Sequence, residues 1–435
     1  MQNRIMELKT FLILWSTQSL SQLGSAMTNF ALTLWLYEKT GSALQTALLS
    51  ICSYAPYVCM SIFAGALSDR WDKKKVMLGC DSFAACCTVV VLVLLKYDLL
   101  LPVHMYVLNA VNGLMNTIQQ PAGDVAMTLL VPKEHYQKTS GLRSLSNSLV
   151  TILNPVFATA LYAAGGLDLV ICVDLTTFAA AFLALLFLIR IPEISGEASG
   201  ERESFLEAAK SGISWLAGHR LILLLILFLA GINLVASAFD AVLPAFILSS
   251  EKGGRAVLGL VTSSAGAATL VGSLIVTVLP APKNRIRVIH LTMLFSLSTE
   301  NFLLALSDDP RLWCFGQIIG WLLVPLMNAN LDVVLRLTIP ARMQGRVYSC
   351  RNTLQFFTIP VGYFLGGYMV DEVCGPVMNQ AAGDSLLRGM FGSGEEAGAA
   401  MVLFILGIAG SLFCLCFGKI LNKYSFPGQP DEAEK

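Results

Sequence analysis

Residues 220–248 read RLILLLILFLAGINLVASAFDAVLPAFIL, an apolar run interrupted by one acidic residue, Asp240. A helix needs about 20 apolar residues to cross the hydrocarbon core of a bilayer, whereas a barrel strand needs only about 9–11. The run is long enough for a helix and too long for a strand. Because only helices and closed barrels satisfy their backbone groups inside lipid, the run predicts a transmembrane helix.

Eleven further stretches of this kind occur in the 435-residue chain. The chain is 55% hydrophobic and only 13% charged, which is about half the charged content of an average soluble domain. We therefore predict an all-α membrane protein with twelve transmembrane helices. The other eleven stretches are 11–37, 44–67, 76–96, 101–129, 142–164, 169–189, 256–279, 288–306, 311–337, 346–370 and 399–420.

Basic residues in the connections predict the orientation, because cytoplasmic loops carry an excess of Lys and Arg. If the N-terminus is cytoplasmic, all but six of the 29 Lys and Arg residues fall in cytoplasmic segments. We therefore predict that both termini are cytoplasmic, and short loops suit a bacterial inner membrane. The six on the outer side are Lys39, Lys96, Lys252, Arg255, Arg311 and Arg388.

A polar connection divides the stretches into two sets of six. The predicted organisation is a six-helix bundle at 1–190, a cytoplasmic linker at 191–219, a second bundle at 220–425 and a cytoplasmic tail at 426–435. Glycines in the segment 371–398 predict a mobile external loop.

The two halves resemble each other at a constant spacing. Parallel repeats of this kind are a transporter architecture, with the substrate site between the halves near the midplane. The repeat therefore predicts two pseudo-symmetric bundles. The matched residues are Asp124, Pro132 and Arg143 in the first half and Asp332, Pro340 and Arg351 in the second.

The connection between the second and third stretches reads Gly65-Ala66-Leu67-Ser68-Asp69-Arg70-Trp71-Asp72-Lys73-Lys74-Lys75. This segment resembles the G-x-L-x-D-R-x-G-R-[KR] signature of the major facilitator superfamily, and departs from it at Asp72 and Lys73. The early sequence, at 15–24 and 37–42, is similar to the branch that contains enterobactin exporters and macrolide-efflux proteins.

The resemblance implies a cytoplasmic latch in which Asp69 faces the N-terminus of the eleventh helix, where the macrodipole favours a carboxylate. The small Gly65 allows close approach, and Arg70 is expected to pair with Asp124. The alternative is that the basic cluster only sets the topology. The predicted gating residues are Gly65, Asp69, Arg70, Lys73, Lys74, Asp124, Arg143, Asp332 and Arg351.

Polar side chains form stripes on the first, fourth, seventh and tenth helices, which the resemblance places around a central cavity. Because amides facing lipid are penalised, we predict that these stripes line the cavity; the alternative is hydrogen bonding that joins helices. The predicted cavity residues are Gln18, Gln22, Ser25, Asn29, Asn112, Asn116, Gln120, Asn233, Ser237, Gln317, Trp321 and Asn328.

Acidic residues inside apolar runs are candidates for a proton or cation site. Asp240 lies on a stripe of a predicted cavity helix, and Glu300 lies well inside the ninth stretch. We predict that these two residues form the proton or cation site. The alternative for Asp240 is a charge at the outer mouth or an ion pair. Glu300, Asp81 and Asp174 lie in helices that the resemblance places at the periphery, so a structural role is the alternative for Glu300 and the expectation for Asp81 and Asp174.

Two segments depart from the pattern of the superfamily's antiporters. Asn109 stands where those proteins often have an arginine, and the glycines expected around Pro155 are missing. These departures leave the standard route of proton antiport open to question, although export remains compatible with the sequence.

Several classes of function are disfavoured. The chain has no Walker loop, no metal-ligand spacing and no nucleophile constellation, so we expect no ATP drive, no cofactor and no enzyme activity. Its net charge of zero gives no basis for binding nucleic acid, and eleven cysteines without a CxxC pair are expected to be apolar filler.

We therefore predict a secondary transporter that acts as a monomer in the bilayer. It would export amphipathic drugs or metabolites, macrolide- or siderophore-like, by rocking of the two halves, with the proton as coupling ion. The alternatives are an importer or facilitator of a small solute, and a membrane-embedded enzyme or flippase.

Overall fold

The structure is a computed structural model that describes residues 2–70, 72–131, 136–191, 205–340, 343–382 and 385–424. Within these ranges, side chains are described except at 2–8, 61–70, 124, 128, 136–141, 143–144, 205–209, 344–345 and 349. The described residues are almost entirely helical and contain no β-strand.

Sixteen α-helices are assigned in the described ranges, and π-helical turns follow the fifth and the thirteenth. The helices are α1 (Gln2–Thr40), α2 (Ala43–Arg70), α3 (Lys73–Lys96), α4 (Pro102–Leu129), α5 (Tyr136–Leu183), α6 (Phe205–Gly218), α7 (Arg220–Ser249), α8 (Arg255–Val278), α9 (Arg285–Ala305), α10 (Pro310–Leu322), α11 (Val324–Thr338), α12 (Gln344–Phe356), α13 (Thr358–Tyr368), α14 (Gly375–Gln380), α15 (Leu386–Phe391) and α16 (Ala397–Leu421).

The predicted all-helical membrane fold is confirmed. Eight helical segments in the described ranges are long and apolar enough to cross a membrane, and one of them, Leu145–Leu188, covers most of two predicted stretches, 142–164 and 169–189. Those two stretches are separated by a kink at Gly165 and Gly166, where the φ of Gly166 is +66°. Positive φ costs glycine little, which accounts for glycine at this bend.

Two predicted helices are interrupted. The stretch 311–337 is divided between α10 and α11 at Leu323, with Pro325 in the first turn of α11. Proline lacks an N–H and costs least in a first turn, which is where the break places Pro325; Pro244, by contrast, lies inside α7. The stretch 346–370 is likewise divided at Phe357.

The described part of the segment 371–398 contains short helical elements. A π-helical turn carries the chain to Cys374, and the short helices α14 and α15 follow. Ser385 caps α15, since its Oγ accepts from the N–H of Arg388 at 3.4 Å. Ser385 before α15 and the proline in the first turn of α14 both favour the start of a helix. The glycine content of the segment does not show these features.

The chain forms two compact units, one of Met1–Thr40 and Leu48–Glu203, the other of Gly41–Ala47 and Ser204–Lys435. In the first unit α1 packs on α5 and α3 on α4; in the second, α16 packs on α9, α13 on α7 and α10 on α8. Each unit has an apolar core of its own. All eleven cysteines are free, and five of them are buried.

Glycines allow helices to approach closely within each unit. A Cβ on Gly113 of α4 would lie 2.1 Å from the carbonyl oxygen of Ser53 in α2, and one on Gly366 of α13 would lie 2.4 Å from that of Ala238 in α7. Small residues at such crossings are typical of helix packing in membranes, where van der Waals contact replaces the hydrophobic effect.

A carboxylate distant in sequence holds the start of α2 in the second unit. Asp371 accepts hydrogen bonds from the N–H groups of Ala43 at 3.0 Å and Leu44 at 2.9 Å, and from Oγ of Ser42 at 2.6 Å. The first N–H groups of a helix have no partner within it and form its positive end. Asp371 therefore acts as a cap supplied from another helix.

Candidate functional site

A polar cavity of about 70 Å³ lies among α1, α3, α4 and α5 in the first unit. Four of the predicted cavity residues line it, two from the stripe on α1 and two from the stripe on α4, so the structure brings these two stripes together. These four residues are Ser25, Asn29, Asn112 and Asn116, and the other polar residues of the lining are Thr28, Thr88, Asn109 and Asp174.

The remaining predicted residues of the first unit lie elsewhere. Gln22 and Gln120 have exposed side chains and do not line this cavity. Gln18 lies beside Asp81, whose carboxylate accepts a hydrogen bond from Nε2 of Gln119 at 2.6 Å. That contact links α3 with α4 and matches the structural role expected for Asp81.

In the second unit, the stripe on α7 makes hydrogen bonds to backbone. Nδ2 of Asn233 donates to the carbonyl oxygen of Gln355 at 3.1 Å, and Oγ of Ser237 donates to that of Asn233 at 2.6 Å. On α10, Gln317 is buried and its Nε2 has no hydrogen-bond partner, while Asn328 on α11 is exposed. The hydrogen bond of Asn233 joins α7 to α12, which fits the alternative given for these stripes, hydrogen bonding between helices.

The predicted acids of the second unit are electrostatic neighbours. Glu300 of α9 is only 5% exposed and interacts with the charge of Asp240 on α7. Nε1 of Trp321 on α10 donates a hydrogen bond to Oε1 of Glu300 at 3.1 Å. The three residues come from three different helices, and the pattern of each helix alone does not predict the contact.

The backbone around Glu300 leaves little free space. A Cβ on Gly320 would lie 2.6 Å from Oε2 of Glu300, and Oγ of Ser296 donates to the carbonyl oxygen of Gly320 at 2.6 Å. Among the described residues, neither Asp240 nor Glu300 forms an ion pair with a Lys or Arg. Glu300 is buried, whereas the side chain of Asp240 is exposed. A buried carboxylate without a cationic partner is costly, so Glu300, with Asp240 as its neighbour, is suited to accept a proton or a cation.

Most of the predicted cytoplasmic latch lies outside the described side chains. This applies to Gly65, Asp69, Arg70, Asp124 and Arg143. The side chains of the motif that are described, from Asp72 to Lys75, lie at the start of α3. Asp72 stands where the signature of the superfamily has a glycine.

Asp72 caps α3, because its Oδ1 accepts from the N–H groups of Lys74 at 2.8 Å and Lys75 at 3.2 Å. An aspartate in this position stabilises a helix N-terminus better than most residues. Lys73 is buried. Nζ of Lys74 donates to the carbonyl oxygens of Leu186 at 3.0 Å and Ile189 at 2.7 Å, at the C-terminal end of the π-helical turn that follows α5. A cation at the negative end of a helix is favourable.

The second pair of the predicted latch shares one open pocket. Asp332 and Arg351 both line it, and their charges interact. The hydrogen bond of Arg351 goes to another partner, since its Nε donates to Oε1 of Gln355 at 3.0 Å. The two residues are therefore neighbours without a direct ion pair.

The cavity also contains a contact that the sequence did not reveal. Asp174, expected to be structural, accepts hydrogen bonds from Oγ of Ser25 at 3.1 Å and from Oγ1 of Thr28 at 2.9 Å. In the sequence, only the position of Asp174 inside an apolar run pointed to this contact. Ser25 and Thr28 gave no specific signal, because hydroxyl side chains are common on transmembrane helices.

Helices of membrane-spanning length, two compact units, a polar cavity and the buried acids Asp174 and Glu300 are the features of a membrane transporter. The family model of the Major Facilitator Superfamily matches residues 14–278. The chain belongs to this superfamily, and it is an integral membrane transporter of small molecules rather than an enzyme.

Relatives and solved structures agree with this assignment. The chain is 24% identical to macrolide efflux protein A of Streptococcus pyogenes, over 83% of this chain and 90% of the relative. It is 23% identical to the multidrug efflux pump Tap of Mycolicibacterium fortuitum, over 80% and 86% of the two chains. A bacterial homologue of the human lysosomal transporter Spinster, in an inward-facing and occupied conformation, shares the fold with a TM-score of 0.70 at 13% identity, over 97% of this chain and 98% of that one.

Proposed function

We propose that the chain exports amphipathic, cationic drugs or metabolites, macrolide- or siderophore-like, in exchange for protons. The observation that carries the proposal is the buried Glu300 next to Asp240, in a bundle with no cation paired to either residue in its described part. Intramembrane acids of this kind mark proton relays and substrate sites. The efflux activities named for the relatives in Streptococcus and Mycolicibacterium support the direction of transport.

The mechanism that we propose is alternating access. The halves 1–190 and 220–425 rock against each other, and the acids Asp240 and Glu300 exchange a proton for the substrate cation. Both occupants neutralise the same acids, so each would displace the other. The monomer works in a bacterial inner membrane with both termini in the cytoplasm, and the motif around Asp69 closes the cytoplasmic side.

The test is drug accumulation in cells that lack other pumps, with and without a protonophore. Export lowers accumulation, and the protonophore restores it; the importer alternative gives the opposite sign. Asp240→Asn and Glu300→Gln should each abolish the protonophore-sensitive component. Asp308→Asn removes an exposed acid of the α9–α10 connection and serves as the matched control. Full export by Glu300→Gln at equal expression would refute the role of this pair.

A further inference from the structure

We infer that the cavity of the first unit binds a sodium ion, with Asp174 as its charged ligand. This site is separate from Asp240 and Glu300, and the inference does not rest on the proposed export of drugs. Its basis is the set of oxygen atoms around Asp174 and the absence of a positive charge among the residues that line the cavity.

The carboxylate of Asp174 is buried, with 4% of the residue exposed. Its two oxygens accept from the hydroxyls of Ser25 and Thr28, and among the described residues it forms no ion pair with a Lys or Arg. Two hydroxyl donors do not neutralise a carboxylate in an apolar interior, where an uncompensated charge is expensive. One bound positive charge would neutralise the carboxylate of Asp174.

An unpaired amide oxygen lies at the same space. Oδ1 of Asn112 is buried and has no hydrogen-bond donor. A second amide, Asn109, is 6% exposed and also lines the cavity. A buried polar group without a partner costs about 1–3 kcal/mol, so the oxygen of Asn112 is better accounted for by a bound cation.

The space beside the acid is kept open by a glycine. A Cβ on Gly24 of α1 would lie 3.0 Å from Oδ1 of Asp174 and 2.4 Å from Oγ1 of Thr177. Glycine at this position lets α1 approach the carboxylate, so that Ser25 and Thr28, one and four residues later, can reach both of its oxygens.

The chemistry of the lining distinguishes among possible cations. A proton needs only one carboxylate oxygen and would leave Oδ1 of Asn112 unpaired. A divalent ion would leave an excess positive charge beside a single acid. In addition, the described ranges contain no group of three or more His, Cys, Asp or Glu residues that could hold a metal ion, which disfavours a transition-metal site. Carboxylate, hydroxyl and amide oxygens together suit a hard cation, and one carboxylate balances one charge.

Size excludes a drug from the same space. The cavity of about 70 Å³ is well below the roughly 300–1,000 Å³ of small-molecule pockets. It has room for an ion with a few water molecules. The hydroxyls of Ser25 and Thr28 can keep their hydrogen bonds to Asp174 while their lone pairs face the ion.

The experiment measures sodium binding by the purified full-length protein in lipid nanodiscs, with no drug present. Radioactive sodium should bind saturably at one site per chain, and sodium chloride should raise the thermal midpoint relative to choline chloride at equal ionic strength and pH. Both effects follow because a ligand stabilises the folded state that binds it. Export assays play no part, so failure here and failure of the exporter proposal are distinguishable.

Variants locate the site. Asp174→Asn should abolish saturable sodium binding, and Asn112→Leu, which keeps the acid and removes an amide oxygen, should weaken it by an order of magnitude or more. Asp81→Asn removes a different acid of the same unit and should bind sodium like the wild type.

Three outcomes would overturn the inference. One is wild-type protein that binds no sodium above the choline background, a measurement that does not depend on any variant folding. A second is normal binding by Asp174→Asn. The third is stabilisation that follows pH and is indifferent to sodium, which would identify the occupant as a proton.

Discussion

The indole N–H of Trp321 donates a hydrogen bond to Oε1 of Glu300 at 3.1 Å, which joins α10 to the buried acid of α9. A hydrogen bond to a charged group contributes about 1.5–3 kcal/mol. Gly320 also contacts this carboxyl group closely, since a Cβ at that position would lie 2.6 Å from Oε2 of Glu300.

Trp321→Phe keeps an aromatic ring and removes the donor. We expect it to reduce proton-driven drug transport in everted vesicles several-fold at unchanged expression, because the carboxyl of Glu300 loses the contact that fixes its position. Trp313→Phe is the matched control in the same helix, where the indole N–H donates to the carbonyl oxygen of Ser307 at 2.7 Å. Equal loss of transport in both variants would indicate a general effect of tryptophan removal.

Gly113→Ala should destabilise the first unit. Its Cβ would lie 2.1 Å from a backbone oxygen of Ser53, and because the backbone cannot rotate away, the helices must separate. Overpacking of this kind costs about 1–3 kcal/mol. Thermal unfolding of the purified protein in detergent measures the effect.

Gly79→Ala provides the comparison for that substitution. Nothing lies within 4 Å of the added Cβ, and alanine in a helix interior is favoured over glycine by about 0.5–1 kcal/mol. The thermal midpoint should therefore stay the same or rise. A fall as large as that of Gly113→Ala would show that helix packing does not explain the first result.

Asp371→Ala should loosen the start of α2. Loss of a capping side chain costs about 0.5–2 kcal/mol, although Oγ of Ser42 still accepts from the N–H of Gln45 at 3.1 Å. Hydrogen exchange should accelerate at the amides of Ala43 and Leu44. Glu372→Ala, one residue later and exposed, should leave both amides unchanged; acceleration there would argue against a specific cap.

The ion pair of Lys252 and Asp308 predicts a simple pH dependence outside the membrane. Each partner favours the charged form of the other, so the pKa of Lys252 is raised and the pKa of Asp308 is lowered. The contribution of Asp308 is present above the ordinary aspartate pKa and is lost as the pH falls through its lowered value. That of Lys252 is present below the ordinary lysine pKa and is lost as the pH rises through its raised value.

Between about pH 5 and pH 9 the contribution of the pair should therefore be constant. Both side chains are exposed, so the contribution is small and is screened by salt. Thermal midpoints of wild type and Asp308→Asn should run parallel over this range and converge in high salt. Divergence near neutral pH would show that another group titrates with the pair.

Much of the helical architecture follows from local patterns in the sequence. The run 220–248 becomes α7, Arg220–Ser249, because an apolar segment of that length has one way to satisfy its backbone in lipid. The break at Leu323 was not predicted, although Pro325 lies two residues later and proline disfavours a continuous helix. Pro325 was therefore a local signal for the break. It was overlooked because the stretch 311–337 is apolar throughout and was assigned to a single helix.

Contacts between helices were less predictable, for a physical reason. The spacing of residues within one helix shows which side chains share a face, and this was enough to group Ser25 with Asn29. It does not show that Asp174 contacts Ser25, or that Trp321 reaches Glu300, because these contacts depend on how different helices pack together. The motif gave the position of Asp72 but not its role, since a signature reports residue types and not hydrogen bonds.

Lys74 has a mechanical consequence for the first bundle. Its ammonium holds two carbonyl oxygens at the end of the π-helical turn after α5, while the preceding Asp72 holds the first N–H groups of α3. A force applied at this corner is therefore shared between two helices, and the corner cannot give way until charge-assisted hydrogen bonds break. We therefore expect the start of α3 and the end of the π-helical turn after α5 to move together.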